Sequence, residues 1–258
     1  MAMIHPTAIV DPKAQISEGT IIGPYCVIGP NVIIGKDNNL LSHVIVDGVT
    51  QIGNGNRISQ FAVIGTHPQD LKYAGEPTSV KIGDNNTIRE FVTINCSNSL
   101  TESTVVGSNN LIMAYAHIAH NCQIGSYDII ANAVNMAGHI IVQDNVSIGG
   151  MVAIHQFVHI GTHAFVGGAS AVKKDVPPYT RGQGNPYEIV GLNSVGLMRK
   201  GFSSETIAGI KEIYKLFYHS KLNTTQAMEV AVKMENLSPE QKLFIEFVKE
   251  SERGISKK

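Results

Sequence analysis

The chain has 258 residues, of which 43% are apolar and 16% charged, and its net charge is −1. Soluble domains average roughly 25% charged residues; this aliphatic, weakly charged composition excludes a disordered chain, and the near-zero charge gives no reason to expect nucleic acid as the main partner. Three cysteines at long spacings (Cys26, Cys96, Cys122) form neither a disulfide framework nor a zinc-finger pattern.

The N-terminal stretch MAMIHPTAIVDPKA lacks the basic start and apolar run of a signal peptide. Nowhere do roughly 18 apolar residues run together, so no membrane span is expected, and the chain reads as cytoplasmic. From Ile4 onward a six-residue period sets in. Ile22-Gly23, Ile28-Gly29 and Ile34-Gly35 are spaced by one period, and Ile52-Gly53, Ile64-Gly65 and Ile82-Gly83 keep the phase. Stepping by six from Ile4 to Val172 meets Ile, Val, Leu or Met everywhere except Asp70 and Glu76. A helix needs apolar residues every 3.6 positions and a half-buried strand every 2. A period of six fits neither over such a distance. It fits a mainly-β solenoid, a parallel β-helix in which three hexads close a triangular coil of about 18 residues. Nine to ten coils are expected, with the aliphatic positions stacked inside. Glycine after the aliphatic suits a corner that a Cβ would crowd.

Two segments interrupt the hexads. Residues 66–79 (THPQDLKYAGEPTS) carry two prolines and the charges Asp70, Lys72 and Glu76; residues 96–104 (CSNSLTEST) have little strand character apart from Leu100. Both read as loops leaving the prism, where function is often carried on a rigid scaffold. The repeat stops at Asp175-Val-Pro-Pro, because consecutive prolines cannot continue a ladder. The β-helix is therefore assigned to residues 1–187 and a small helical domain to 188–258. There, Ser203 caps a helix bearing Ile207, Ile210, Tyr214 and Phe217, a second helix covers Thr225 to Glu235, and Ser238-Pro-Glu-Gln241 opens a third with a capping box. Residues 1–169 carry a net −5 and residues 170–258 a net +4, the latter a surface suited to an acidic partner.

Six of ten histidines fall between 117 and 163. With an 18-residue coil, His120, Gly138 and Gln156 stack in one column, flanked by His139 and His155. An imidazole can take a hydroxyl proton near neutral pH, and a glycine N–H is open to a developing oxyanion. That combination suits acyl transfer. Converging histidines could instead bind zinc, as in hexapeptide-repeat carbonic anhydrases, but the companions of such a site are not evident. Cys122 reads as a packing residue rather than a nucleophile.

The strings QDLKYAGEPT (69–78), LIMAYAHIAHNC (111–122), MAGHI (136–140), HQF (155–157) and QGNP (183–186) resemble the UDP-N-acetylglucosamine O-acyltransferases of lipid A biosynthesis, over essentially the whole chain. The resemblance implies a homotrimer of left-handed parallel β-helices, with active sites between subunits. The general preference for right-handed crossovers would have pointed the other way. It also implies transfer of an (R)-3-hydroxyacyl chain from acyl carrier protein to the glucosamine 3-hydroxyl, in the cytoplasm of a Gram-negative bacterium. No metal or organic cofactor is implied, since the thioester brings its own activation.

Carried over residue by residue, His120 matches the general base and Gly138 the backbone donor to the oxyanion. Gln69, Asp70 and Lys72 match the substrate loop. His117, His139 and Gln156 match contacts to sugar nucleotide and acyl chain, with His155 beside them. Asn193 and Arg199 match positions near the uridine and phosphates, where a guanidinium suits phosphate geometry. Gly168 matches the position that sets acyl length, and its missing side chain implies a chain near fourteen carbons. The sequence departs from the family at Asn121, where Asp is common after the base, and in INCSNS (94–99), which lacks an Arg-Gly-Thr. Val195, Pro186 and Lys200 also replace residues that family members use. Within the fold, the rival is an N-acyltransferase of the same pathway, expected to place a further domain before its hexads, which here begin at Ile4. A non-catalytic, ice-binding type of solenoid would need Thr arrays that do not occur.

Overall fold

The computed structural model describes residues 1–257. Short parallel strands, most of two residues, build the three sides of a left-handed β-helix. The first side begins with Met3–Ile4, the second with Ile9–Val10 and the third with Gln15–Ile16. Each later coil repeats that order, so Ile112 lies beside Ile130, and His117 beside Asn135. In each two-residue strand of the central coils one side chain faces out and the next is buried, and the buried members form one continuous aliphatic core. That single column explains a sequence without tryptophan: no point along the prism needs a larger filler than Ile or Leu.

Besides Asp70 and Glu76, two aliphatic residues of the six-step series lie outside the core. Leu100 is 69% exposed in its loop, and Ile4 is 48% exposed at the open end of the prism. The series runs through the loops because their lengths are whole multiples of six. Ile52 pairs with Ile82, thirty positions on, and Ile82 with Val106, twenty-four on, where eighteen is the rule.

Glycines that follow the aliphatics are required by the neighbouring coil. A Cβ on Gly23 would sit 2.6 Å from the Leu41 carbonyl, and one on Gly53 2.7 Å from the Gly83 carbonyl. The left-handed corner positions are mostly not glycine. At one corner Tyr25, His43, Phe61, Phe91 and Tyr115 all have φ near +60°, and their rings stack at 4.8–5.0 Å. Such φ values are uncommon for bulky residues; here stacking and a coil-to-coil hydrogen bond, such as His43 N–H to the Pro24 carbonyl, hold them.

Inside the corner joining the third and first sides runs a ladder of buried asparagines. Asn38, Asn56, Asn86 and Asn110 each accept, through Oδ1, the backbone N–H of the next rung. Each donates its amide to a glycine carbonyl: Gly53, Gly83, Gly107 and Gly125. Asp128 occupies the next rung. Its Oδ1 accepts from Val146 N–H at 2.7 Å, while its buried Oδ2 has no partner. Burial pushes its carboxyl up to about 8, with Asp144 adding to the effect and Val146 N–H and Lys200 opposing it.

Beyond the two prolines, Thr180–Gln183 and Glu188–Leu192 form an antiparallel hairpin on the first side. The sequence reading places 188–192 in helical pattern; antiparallel pairing with Thr180–Gln183 holds it extended instead. Four helices follow: α1 (Ser194–Arg199), α2 (Ser204–Tyr218), α3 (Thr224–Ala231) and α4 (Pro239–Glu250). Ser203 caps α2, and a capping box closes on Ser238 and Gln241 in α4. The expected second helix is shorter, starting one residue earlier under an Asn223 cap and stopping at Ala231. The short α1 has no counterpart in the sequence reading. These helices share a second core around Leu197, Ile210, Phe217 and Phe244. No helix among the described residues is long and apolar enough to cross a membrane.

Candidate active site

Both loops leave the prism at the corner between the second and third sides. The first spans the gap from Val63–Thr66 to Ser79–Ile82, the second that from Thr93–Asn95 to Ser103–Val106. In the next coil the same corner joins His117–Ile118 to Gln123–Ile124 and carries His120. Gly138 and Gln156 follow on the two coils beyond, as an 18-residue repeat requires.

His120 is held from one side and open on the other. Its Nδ1 lies 3.0 Å from Asn121 Oδ1. Asn121 is 4% exposed and sits at φ +59°, a region asparagine tolerates better than most residues. Its Oδ1 also accepts the Asn98 backbone N–H at 3.1 Å, and its Nδ2 donates to Glu102 Oε2 at 2.8 Å. A backbone N–H can only donate and a carboxylate can only accept, which fixes the orientation of the amide. His120 Nδ1 therefore carries the hydrogen, and Nε2 has the lone pair.

Nε2 faces Gly138. A Cβ there would lie 2.6 Å from Nε2, so only glycine leaves the imidazole its place. The Gly138 N–H has no acceptor among the described residues, whereas its carbonyl accepts from Phe157 N–H at 3.2 Å. An open cleft of about 460 Å³ on the second side is lined by Gln69, His117, His120, Asn135, Gly138 and Gln156, among others. Its floor is low, because small Ala137 and Ala153 line it.

His117 bonds Thr93 Oγ1 through Nδ1 at 2.7 Å. Burial pushes its imidazole below the ordinary histidine range, with the His120 charge adding to this. His139 meets His120 edge-on at 5.2 Å and stacks on Phe157. Its imidazole is likewise lowered, first by burial and then by His120, against Glu102 and Asp70. Asp70 reaches the same corner from the first loop: Lys72 N–H and the Asn98 amide, at 3.0 and 2.7 Å, hold its carboxyl below the usual carboxylate range. Gln69 and Lys72 have exposed side chains. Glu76 serves the loop itself, taking the Ala74 N–H on its carboxylate while its carbonyl accepts from the Tyr73 hydroxyl.

Other expected site residues lie elsewhere. His155 is exposed beside Gln156, with Nδ1 3.0 Å from the Gln156 carbonyl. Gly168 sits at the corner between the first and second sides, where a Cβ would touch only Gly150 backbone. Asn193 and Arg199 belong to the third corner, the one joining the third and first sides. Asn193 caps α1 and donates to the His163 carbonyl, exposed Arg199 ends that helix, and Lys200 reaches Asn145. Within one chain these residues are on a different edge of the prism from His120. Cys122 is fully buried and donates to the Ala137 carbonyl, and burial lifts its thiol to about 12.

The sequence reading missed Asn98 and Glu102. Both lie in the second loop, whose composition gives no strand or helix signal; its one visible cue was a lone carboxylate in a weakly charged stretch. Among the described residues no three His, Cys, Asp or Glu side chains come together as a metal-ligand group.

Residues 175–256 match the family model for the second domain of UDP-N-acetylglucosamine O-acyltransferase, and residues 1–36 and 103–136 match that for bacterial transferase hexapeptide repeats. The chain is 49% identical, over 99% of both sequences, to the acyl-[acyl-carrier-protein]–UDP-N-acetylglucosamine O-acyltransferase of Thermodesulfovibrio yellowstonii. Among solved structures it is similar to the UDP-N-acetylglucosamine acyltransferase of Francisella novicida, at 42% identity and a TM-score of 0.96, covering 99% of this chain and 94% of that one. LpxA of Acinetobacter baumannii matches at 46% identity and a TM-score of 0.94, over 99% and 100% of the two chains.

Proposed function

Because the chain belongs to the UDP-N-acetylglucosamine O-acyltransferase family, we propose that it transfers an acyl group from acyl carrier protein to the glucosamine 3-hydroxyl of UDP-N-acetylglucosamine, the first step of lipid A biosynthesis. His120 is the general base. The observation that carries this role is the open Nε2, held in its tautomer by Asn121 and facing the cleft over Gly138.

The sugar hydroxyl gives its proton to Nε2 as its oxygen attacks the thioester carbon. The tetrahedral oxyanion takes a hydrogen bond from the Gly138 N–H. On collapse the C–S bond breaks, the ester C–O bond remains, and the proton passes from Nε2 to the departing carrier thiolate. Asp70, Lys72 and Gln69 hold the sugar nucleotide from the first loop, and His117, His139, Gln156 and His155 line its approach and that of the acyl chain.

Asn193 and Arg199, remote from His120 in their own chain, complete the site of a neighbour in a homotrimer, with the guanidinium on the diphosphate. The acyl chain runs across the second side, over the low floor of Ala153, toward Gly168. That position leaves room for a 3-hydroxyacyl chain near fourteen carbons. The net +4 of residues 170–258 suits docking of the acidic carrier protein. The setting is the cytoplasm of a Gram-negative bacterium.

The test is acyl transfer from 3-hydroxyacyl carrier protein to UDP-N-acetylglucosamine by the wild type and His120→Ala. A loss of roughly 10²–10⁴-fold in a folded variant is expected of a general base. A folded variant with wild-type turnover would place the base elsewhere.

A further inference from the structure

Asparagine beside the base leaves His120 without an adjacent carboxylate, yet a carboxylate stands one residue further out. We propose that Glu102 acts as a positioning residue for His120, supplying through the Asn121 amide the negative charge that a directly bonded aspartate would otherwise provide. This rests on His120 being the base. The path is continuous: His120 Nδ1–H to Asn121 Oδ1 at 3.0 Å, then Asn121 Nδ2–H to Glu102 Oε2 at 2.8 Å.

An amide is suited to such a relay. A carboxylate accepting from the NH2 group draws the amide toward its charge-separated resonance form, which increases the negative charge on the oxygen. The bond from His120 Nδ1–H strengthens accordingly, most of all when the ring becomes imidazolium. No proton need leave Nδ1, as in triads whose carboxylate only orients and stabilises the ring. Asn121 cannot drift from this geometry. Its own N–H is fixed on Thr104 Oγ1 at 2.9 Å, and its Oδ1 also holds the Asn98 N–H. Asn98 in turn holds Asp70, so the base and the substrate loop share one hydrogen-bonded frame.

The test uses Glu102→Gln, which keeps a side-chain oxygen for the Asn121 amide and removes only the charge. Glu102 is exposed, so solvent screening reduces its effect. A fall of about tenfold in kcat is expected for loss of one charge-assisted contact, with KM for the sugar nucleotide unchanged. The acid limb of the kcat/KM profile should move to lower pH. The other ionisable groups facing His120 are His117 on the strand just before it, His139 on the next coil and Asp70 from the first loop. All three stay in place in the variant, so the movement reports the missing charge.

The double variant Glu102→Gln, Asn121→Asp returns a carboxylate beside the ring, with the amide introduced at position 102 donating to it. It should recover most of the lost kcat and the original acid limb. An unchanged rate and profile in Glu102→Gln would overturn the relay, as would a double variant no better than the single one. Both are measured beside His120→Ala. A folded His120→Ala with full activity refutes the base, and an inactive one beside an unaffected Glu102→Gln refutes the relay alone.

Discussion

Replacing Asp128 by asparagine should stabilise the protein by an amount that grows with pH. In the buried ladder, each asparagine amide donates to a glycine carbonyl of the next coil, as Asn110 does to Gly125, fifteen positions on. At Asp128 the equivalent carbonyl is that of Gln143, and only a protonated carboxyl could offer it a hydrogen. Burial lifts the carboxyl to about 8 in the folded chain, against an ordinary value of 3.8. The folded state therefore binds the proton more tightly than the unfolded one. The associated stability is fully present below pH 3.8 and falls as pH rises toward 8, after which no further loss occurs. At about 1.4 kcal/mol per pH unit, the loss between pH 5 and 8 is about 4 kcal/mol. The asparagine of Asp128→Asn has no proton to lose and restores the donor. Urea unfolding from pH 5 to 9, at one protomer concentration so that association is constant, should give two curves whose separation widens by that amount. Titrating groups that do not interact with Asp128 are common to both proteins and cancel; those that do are Asp144 and Lys200, and ordinary carboxylates and lysine ammonium groups titrate largely outside this window. Parallel curves would refute the neutral buried carboxyl.

Gly138→Ala should fold, since Gly138 has no left-handed φ, but its Cβ would fall 2.6 Å from His120 Nε2. Displacing the ring is expected to cost about 10²-fold in kcat while the melting temperature stays within a few degrees; a fully active variant would mean that the imidazole works from another position. Gly168→Met should move donor preference toward shorter hydroxyacyl chains in a competition among acyl carrier proteins of graded chain length. An unchanged donor profile would remove Gly168 from the acyl groove.

The prism was legible because its physics is one-dimensional. One aliphatic per side, kept in phase everywhere outside the first loop and buried throughout the central coils, leaves little freedom for another fold, and the same arithmetic stacks His120, Gly138 and Gln156. Periodicity also misled where it held by coincidence of length, as at Leu100, which keeps the phase but not the burial. The strand at Glu188–Leu192 was hidden because its pairing partner lies outside the repeat. Asn121 was legible only as a departure from the aspartate common after the base, not as one link toward a carboxylate. Its neighbour Glu102 is nineteen positions away in sequence, and a coil lengthened by a loop brings the two together at a corner that no spacing rule anticipates. Asp128 was equally silent: an aspartate in an asparagine column is visible only once the column is known.

The two loops exceed the regular coil by twelve and six residues, two sides and one. Each begins and ends at the same edge of the triangle, so the rungs before and after it remain face to face. Scaffold and recognition segment are thereby uncoupled: a loop can be shortened, exchanged or deleted in units of a whole side without turning a single aliphatic residue outward. On the proposed assignment, the loop residues that meet the substrate form a cassette clipped onto the prism, free to diversify while His120 and Gly138 stay registered by the coils beneath.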